Sequence, residues 1–158
     1  MRNLNQLLLD YASSHRNPTN QIIHWICIPL IVFSVVAFGW TIPSAWMSSW
    51  LPADYAPFFN LATVGAALTL LYYWRLAPWL FALMAAFFGL CFAASWWIEQ
   101  STTPLWLVAT VIFITTWIVQ FVGHHIEGAK PSFFDDLLYL LVGPAFLADK
   151  VRRGKFID

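Results

Sequence analysis

The composition of this chain is typical of an integral membrane protein. The chain has 158 residues, of which 60% are hydrophobic, 18% aromatic and only 10% charged. Soluble domains carry about a quarter of charged residues, so the composition excludes an ordinary soluble domain. The formal net charge is zero and no long basic segment is present, so we expect no nucleic-acid partner.

The first predicted element is a short amphipathic helix that ends before a proline turn. Four of its residues form an apolar face: Leu4, Leu7, Leu8 and Tyr11. Pro18 disfavours helix at Asn17 and suits the first turn of a new helix, for which Asn17 is a good N-cap. The pattern therefore predicts a helix, a turn and then a second helix with a different axis.

Four apolar runs follow that are long enough to cross a membrane. A hydrocarbon core of about 30 Å needs roughly 20 helical residues. The runs contain no Asp, Glu, Lys or Arg and cover residues 22–40, 56–74, 76–98 and 104–122. They predict four transmembrane helices.

A fifth apolar run, residues 137–147, is too short to span and contains Gly143 and Pro144. It favours a short interfacial or re-entrant helix. No repeat or linker divides the chain. We therefore predict one all-α membrane domain over residues 1–158, a four-helix bundle with a short helix at each end.

The cationic residues predict the orientation. All eight lie before the first run, between the second and third, or after the fourth: Arg2, Arg16, Arg75, Lys130, Lys150, Arg152, Arg153 and Lys155. The other two connections, residues 41–55 and 99–103, carry only Asp54 and Glu99 as charges. By the positive-inside rule both termini are cytoplasmic. The expected location is the bacterial inner membrane, or the endoplasmic reticulum in a eukaryote.

This topology brings all four histidines to one membrane face. His15 and His24 lie at the cytoplasmic start of the first run, and His124 and His125 at the cytoplasmic end of the fourth. A single histidine at an interface is more often an anchor or a hydrogen-bonded helix end. Four on one face instead predict a metal site, with His15, His24 and His124 as its catalytic ligands.

Further candidate ligands surround these histidines. Glu127 is three residues after His124 on the same helical face, whereas His125 is rotated by about 100° and is a less certain ligand. Cys27 could supply a thiolate beside His24. Asp135 and Asp136 fit a helix start better than a metal, although Asp136 stays open as a ligand. Three residues are candidates for supporting hydrogen bonds: Asn17, Asn20 and Gln120.

The donor set restricts the metal. Imidazole with carboxylate suits Fe(II), Zn or Mn, and two histidines plus one carboxylate is the pattern of non-haem iron. A b-type haem between His24 and His124 would use the same residues and is the alternative.

Two segments resemble the signature blocks of the 2-hydroxy-fatty-acid dioxygenase family. They are DYASSHRNPTNQIIHWICIPL and QFVGHHIEGAKPSFFDDLLYLLVGPAF, with the motifs Tyr-x3-His-x-Asn-Pro-x-Asn-x3-His and Gly-His-x2-Glu-Gly-x-Lys-Pro. The resemblance covers nearly the whole chain. It implies an Fe(II)-dependent enzyme that uses O2 to shorten a long-chain 2-hydroxy fatty acid by one carbon, with the family's histidines at His15, His24 and His124.

Two other classes of function remain open from the residues. One is a non-enzymatic lipid-binding scaffold or transporter subunit, which would bind no stoichiometric metal. The other is a metal-dependent lipid hydrolase, which would work without O2. The sequence identifies no substrate-binding residues.

Cysteine labelling tests the predicted topology. Single cysteines at Asp54 and Gln100 should react with a membrane-impermeant maleimide added from outside, because both lie in the connections without cations. A cysteine at Arg75 should react only after the membrane is opened. Labelling of either loop from the cytoplasmic side alone would overturn the orientation.

Overall fold

The described part of the chain is entirely helical, as predicted. The structure is a computed structural model that describes residues 3–13, 15–128, 133–155 and 157, with the backbone course alone for 133–140. Within these residues the elements are α1 Leu4–Ser13, α2 Pro18–Thr41, α3 Ala45–Ser48, a 3-10 turn Ala56–Phe58, α4 Leu61–Leu76, α5 Pro78–Glu99, α6 Leu105–Glu127 and α7 Phe133–Arg153.

Helix α2 is the centre of the bundle. It begins as the sequence predicts, since Pro18 occupies its first turn and the Asn17 side chain accepts a hydrogen bond from the Thr19 N–H at 2.9 Å. It packs against α4, α5, α6 and α7. Small or apolar residues such as Ile31, Ser34 and Ala37 are almost completely buried along it. Each of the other long helices of the described chain, α4, α5, α6 and α7, therefore contacts α2.

Three of the described helices are long and apolar enough to cross a membrane: α2, α5 and α6. The run predicted as the second span, residues 56–74, is divided by the structure. Residues Ala56–Phe58 form a 3-10 turn, and Asn60 caps a new helix by accepting from the Thr63 N–H at 3.2 Å. The resulting α4 has 16 residues, which at 1.5 Å per residue is about 24 Å and short of a full hydrocarbon core. The four-span bundle stays a prediction.

The last helix is longer than the sequence predicts. Helix α7 runs over 21 residues, Phe133–Arg153, where a short helix over 137–147 was expected. Pro144 lies inside it and does not end it. A proline in a helix costs about 3 kcal/mol, but α7 also packs on α1, α2 and α5 and buries Val142, Ala145 and Ala148. Tertiary burial therefore outweighs the local effect of Pro144.

Helix α6 lies at the side of the bundle and makes its main contact with α2. The two helices come closest at Gly123, where an added Cβ would overlap the Asn20 Oδ1 atom and lie 3.2 Å from the Ile23 side chain. Asn20 is completely buried there. A glycine is thus required where α2 and α6 cross, directly beside His124 in the sequence.

Substitution of Gly123 tests this packing. Gly123→Ala should lower the free energy of unfolding by about 1–3 kcal/mol, because the new methyl group displaces Asn20. The matched control is Gly89→Ala in α5, where an added Cβ meets nothing within 4 Å and helix propensity should raise stability by up to about 1 kcal/mol. Thermal unfolding in detergent micelles measures both. Equal stability of the two variants would contradict the close approach.

Candidate metal centre

The structure brings two histidines together around the turn between α1 and α2. His15 lies just after α1, and His24 lies in the second turn of α2. Their Nε2 atoms are 3.1 Å apart. The two residues are nine positions apart and would point in opposite directions on one continuous helix. The change of axis at Asn17 and Pro18 is what lets both rings face the same point.

The third histidine comes from α6. The ring centroid of His124 lies 5.5 Å from that of His15 and 5.0 Å from that of His24. One ring nitrogen from each residue lies within 4.8 Å of the others, and all three side chains are buried. We call His15, His24 and His124 the histidine cluster. Among the described residues, no other His, Cys, Asp or Glu joins it.

Backbone carbonyls fix the tautomers of two of these rings. The Nδ1 atom of His15 lies 2.8 Å from the Tyr11 carbonyl oxygen, and that of His24 lies 2.9 Å from the Asn20 carbonyl oxygen. A carbonyl only accepts, so each Nδ1 carries the proton and donates it. In a neutral ring the Nε2 atom then carries no proton and acts as an acceptor. The two Nε2 acceptors lie 3.1 Å apart, an arrangement that a shared cation would stabilise.

Burial favours a metal ion over a proton as that cation. Burial lowers the pKa of His15 below its ordinary value, and the nearby His124 lowers it further against the opposing effects of the Tyr11 hydrogen bond and Glu127. The Tyr11 ring covers His15 in a parallel stack, with centroids 4.0 Å apart and planes at 7°. The neutral ring that results is the form that ligates metals.

The His15 and His24 nitrogens are spaced as two ligands of one small metal ion would be. Imidazole nitrogens bind at about 2.0–2.1 Å, so two ligands on one ion lie roughly 2.8–3.4 Å apart for octahedral to tetrahedral angles. The observed separation of 3.1 Å is within that range. Donation of the other ring nitrogen to a carbonyl is also the usual support for a metal-bound histidine. Three imidazoles suit Fe(II), Zn, Cu or Ni.

The haem alternative does not fit this geometry. Axial histidines lie on opposite faces of a porphyrin, with the whole macrocycle between them. The rings of His24 and His124 are only 5.0 Å apart and nearly perpendicular, at 87°. A porphyrin has no space between them.

Glu127 has a different place from the one the sequence predicts. Its carboxylate accepts the backbone N–H of Arg16 at 2.8 Å, the backbone N–H of Asn17 at 2.9 Å and the Asn20 amide at 3.1 Å. Both oxygens are therefore engaged by the turn that carries His15. Glu127 thus lies outside the histidine cluster and fastens this turn to α6, and its role as a ligand stays a prediction.

Other candidate residues also lie outside the histidine cluster or outside the described residues. The side chain of His125 is exposed and outside the histidine cluster, as its rotation along α6 requires. Cys27 is buried but does not join the cluster either. The Oε1 atom of Gln120 is buried without a hydrogen-bond partner in the described structure, so the expected support of His124 is not made through it. The side chains of Asp135 and Asp136 lie outside the described residues.

Of the three predicted supporting residues, Asn17 and Asn20 make hydrogen bonds beside the site, and two further residues were not predicted. Asn17 caps α2. The Asn20 carbonyl accepts a hydrogen bond from the His24 ring, and the Asn20 amide donates one to Glu127. Tyr11 was assigned only to the apolar face of α1, although its spacing of four residues from His15 is the signal for a contact. Gln21 was overlooked: it donates to the His15 carbonyl at 3.1 Å and accepts from Lys150 of α7 at 2.9 Å.

Comparison with known proteins identifies the family. The family model described as 2-hydroxy-palmitic acid dioxygenase Mpo1-like matches residues 1–155. No curated protein and no solved structure matches the chain.

Substitution of Glu127 separates a fastening role from a ligand role. Glu127→Ala leaves the N–H groups of Arg16 and Asn17 without their acceptor, so metal affinity should fall about 10–100-fold, as for other supporting residues. Glu127→Gln keeps one acceptor oxygen, so its metal affinity should fall much less. Equilibrium metal titration of the purified protein measures this.

The matched control for this experiment is Glu99→Ala. The Glu99 carboxylate also accepts a hydrogen bond, from Trp40 Nε1 at 2.6 Å, but at the opposite end of α2. The Glu99→Ala substitution should leave metal affinity unchanged. A complete loss of metal with both Glu127→Ala and Glu127→Gln would instead restore Glu127 as a ligand.

Proposed function

Because this chain belongs to the 2-hydroxy-palmitic acid dioxygenase Mpo1-like family, we propose that it is an Fe(II)-dependent dioxygenase of long-chain 2-hydroxy fatty acids. The proposed reaction shortens the acid by one carbon. The observation that carries the proposal is the convergence of three buried imidazoles, with ligand nitrogens within 4.8 Å of one another, in a chain with membrane-length apolar helices.

The reaction balances without a further reductant. R–CH(OH)–COOH plus O2 gives R–COOH, CO2 and H2O. The hydroxy acid supplies all the electrons that reduce O2, and its bond between the carboxyl carbon and the hydroxyl-bearing carbon is broken. The sequence carries no nucleotide-binding or flavin-binding motif, which agrees with a reaction of this kind.

Each residue of the histidine cluster has a defined part in this proposal. His15, His24 and His124 would hold Fe(II) through one ring nitrogen each. The iron would supply open coordination positions and the redox chemistry for O2. The carbonyls of Tyr11 and Asn20 keep the Nδ1 protons of His15 and His24 in place, so that their Nε2 atoms stay available.

The surroundings of the cluster exclude water and fix its geometry. The Tyr11 ring shields one side of His15. Glu127 fastens the turn, and Gly123 lets α2 approach α6 closely enough for His24 and His124 to meet. With the predicted orientation, the cluster lies at the cytoplasmic edge of the bilayer, where the carboxyl group of a membrane-embedded fatty acid is found.

Two rival functions give different results in simple assays. A lipid-binding scaffold or transporter subunit would use this polar site without stoichiometric metal. A metal-dependent lipid hydrolase would bind metal but would not consume O2. Both are separated from the proposal by the following experiment.

The direct test supplies the purified protein with Fe(II), O2 and 2-hydroxypalmitic acid. We expect release of the acid that is one carbon shorter, with O2 uptake matching product one to one. NADPH, ascorbate and 2-oxoglutarate should not be needed as co-substrates. Zn(II) should not replace iron, because it has no redox chemistry. Product formation under strict anaerobiosis, or with zinc alone, would support the hydrolase.

Histidine variants provide the controls. His15→Ala, His24→Ala and His124→Ala should each remove activity and lower bound metal, with a loss well beyond the 10–100-fold expected for supporting residues. His125→Ala is the matched control, because it is the adjacent histidine on α6 with an exposed side chain. It should keep both metal and activity. Full activity in any of the first three variants would refute the site.

A further inference from the structure

An apolar cleft runs between α2, α4, α5 and α7. Its volume is about 260 Å³, and its walls include Val32, Val36, Gly39, Gly65, Met84 and Phe88. We call it the lateral cleft. The polar groups in its wall already have partners: the Tyr73 hydroxyl donates to the Leu141 carbonyl at 2.7 Å, and the Thr69 hydroxyl donates to the Gly65 carbonyl at 2.9 Å. An occupant of the cleft therefore meets an apolar surface.

A second, smaller cavity adjoins the lateral cleft on the side nearer the start of α2. It has a volume of about 140 Å³ and is lined by Trp25, Ile28 and Pro29 of α2, and it shares Met84 and Pro144 with the lateral cleft. The two cavities together follow α2 from the turn after His24 to Gly39.

The spacing of residues on α2 aligns this path with the proposed metal centre. His24, Ile28, Val32, Val35 and Gly39 follow one another by three or four positions and share one face of the helix. From His24 to Gly39 the helix rises by about 22 Å at 1.5 Å per residue. One leaflet of a hydrocarbon core is about 15 Å thick. The path is therefore longer than one leaflet and is long enough for the tail of a long-chain fatty acid whose head is at His24.

The lateral cleft is accessible from the lipid side. Val35 is 42% exposed, and Gly65 is also exposed, so the cleft opens between α2 and α4 on the outer surface of the bundle. Small residues make this opening: an added Cβ at Gly65 meets nothing within 4 Å, while one at Gly39 would lie 3.1 Å from the backbone of Ala62. A tail can thus enter sideways from the membrane.

We propose that the lateral cleft is the binding site for the alkyl tail of a long-chain fatty acid. The tail lies along the stripe of α2 with its far end near Gly39, and its carboxyl end reaches the histidine cluster. The identity of the head group depends on the proposed function, whereas tail binding does not require the reaction. The walls near Gly39 and Gly65 then set how long a tail is accommodated.

Photo-crosslinking of palmitic acid tests this site. The probe is palmitic acid with a diazirine near the end of its tail. It lacks the 2-hydroxyl group and is used on the full-length, metal-free protein in nanodiscs. Mass spectrometry should place the adducts on cleft residues of α2, α4 and α5. Excess unlabelled palmitic acid should suppress them, and octanoic acid should not, since its shorter tail buries fewer methylene groups.

Gly65→Leu and Gly89→Leu form a matched pair for this experiment. Both glycines have open space around the position of an added Cβ, but only Gly65 lines the lateral cleft. Gly65→Leu should reduce cleft adducts at least tenfold, Gly65→Ala should reduce them less, and Gly89→Leu should label like the unsubstituted protein. Metal titration of each variant shows that the histidine cluster is intact.

Other outcomes overturn the proposal. Adducts spread over all lipid-facing surfaces, with no effect of Gly65→Leu, would mean that bulk lipid fills the lateral cleft. Adducts joining two chains would make this surface an interface between copies. Failure of the oxygenase assay with the expected labelling would refute the proposed reaction and leave the tail site in place.

Discussion

The placement of the turn between α1 and α2 depends on one carboxylate, that of Glu127. Glu127 ends α6 and accepts hydrogen bonds from the backbone of Arg16 and Asn17 and from the side chain of Asn20. The turn between α1 and α2 has backbone N–H groups that no helix satisfies, and unpaired polar groups are costly at a membrane boundary. One anionic acceptor at the end of a neighbouring helix meets this need and fixes where the turn lies. His15 is carried by that turn, so its position follows from Glu127.

The same contact explains why Gly123, His124 and Glu127 lie close together in the sequence. These residues share the face of α6 that meets α2: Gly123 admits Asn20, His124 supplies an imidazole, and Glu127 holds the turn. Asn20 has matching tasks on α2, since its carbonyl supports His24 and its amide reaches Glu127. The crossing of α2 and α6, together with the turn before α2, therefore assembles a three-histidine site with few residues. A substitution at any of these positions should displace the side chains at the others.

The remaining helices give this site its surroundings. Helix α7 covers α1 and reaches the His15 turn through Lys150 and Gln21. Helices α4 and α5 pack on other parts of α2 and leave the lateral cleft between them. Helix α2 thus borders two different environments on adjoining faces. Near its start it has a polar environment toward α6, and along its length it has an apolar one toward α4 and α5. This division suits a substrate with a polar head and a long apolar tail.

The sequence by itself determined the helical class, the start of α2 and the residues that meet at the site. These features depend on local chemistry: apolar runs without charges, the Asn17–Pro18 cap, and histidines at the ends of two apolar runs. The tertiary structure decided the rest. Glu127 was expected beside a metal because spacing along α6 shows only which face it shares with His124, whereas its partners lie more than a hundred residues away in the turn. Helix α7 continues through Pro144, and the second apolar run begins with a 3-10 turn, because packing against α2 and capping by Asn60 outweigh local propensity. The lateral cleft has no sequence signature, since a cavity exists only where several helices fail to fill the space between them.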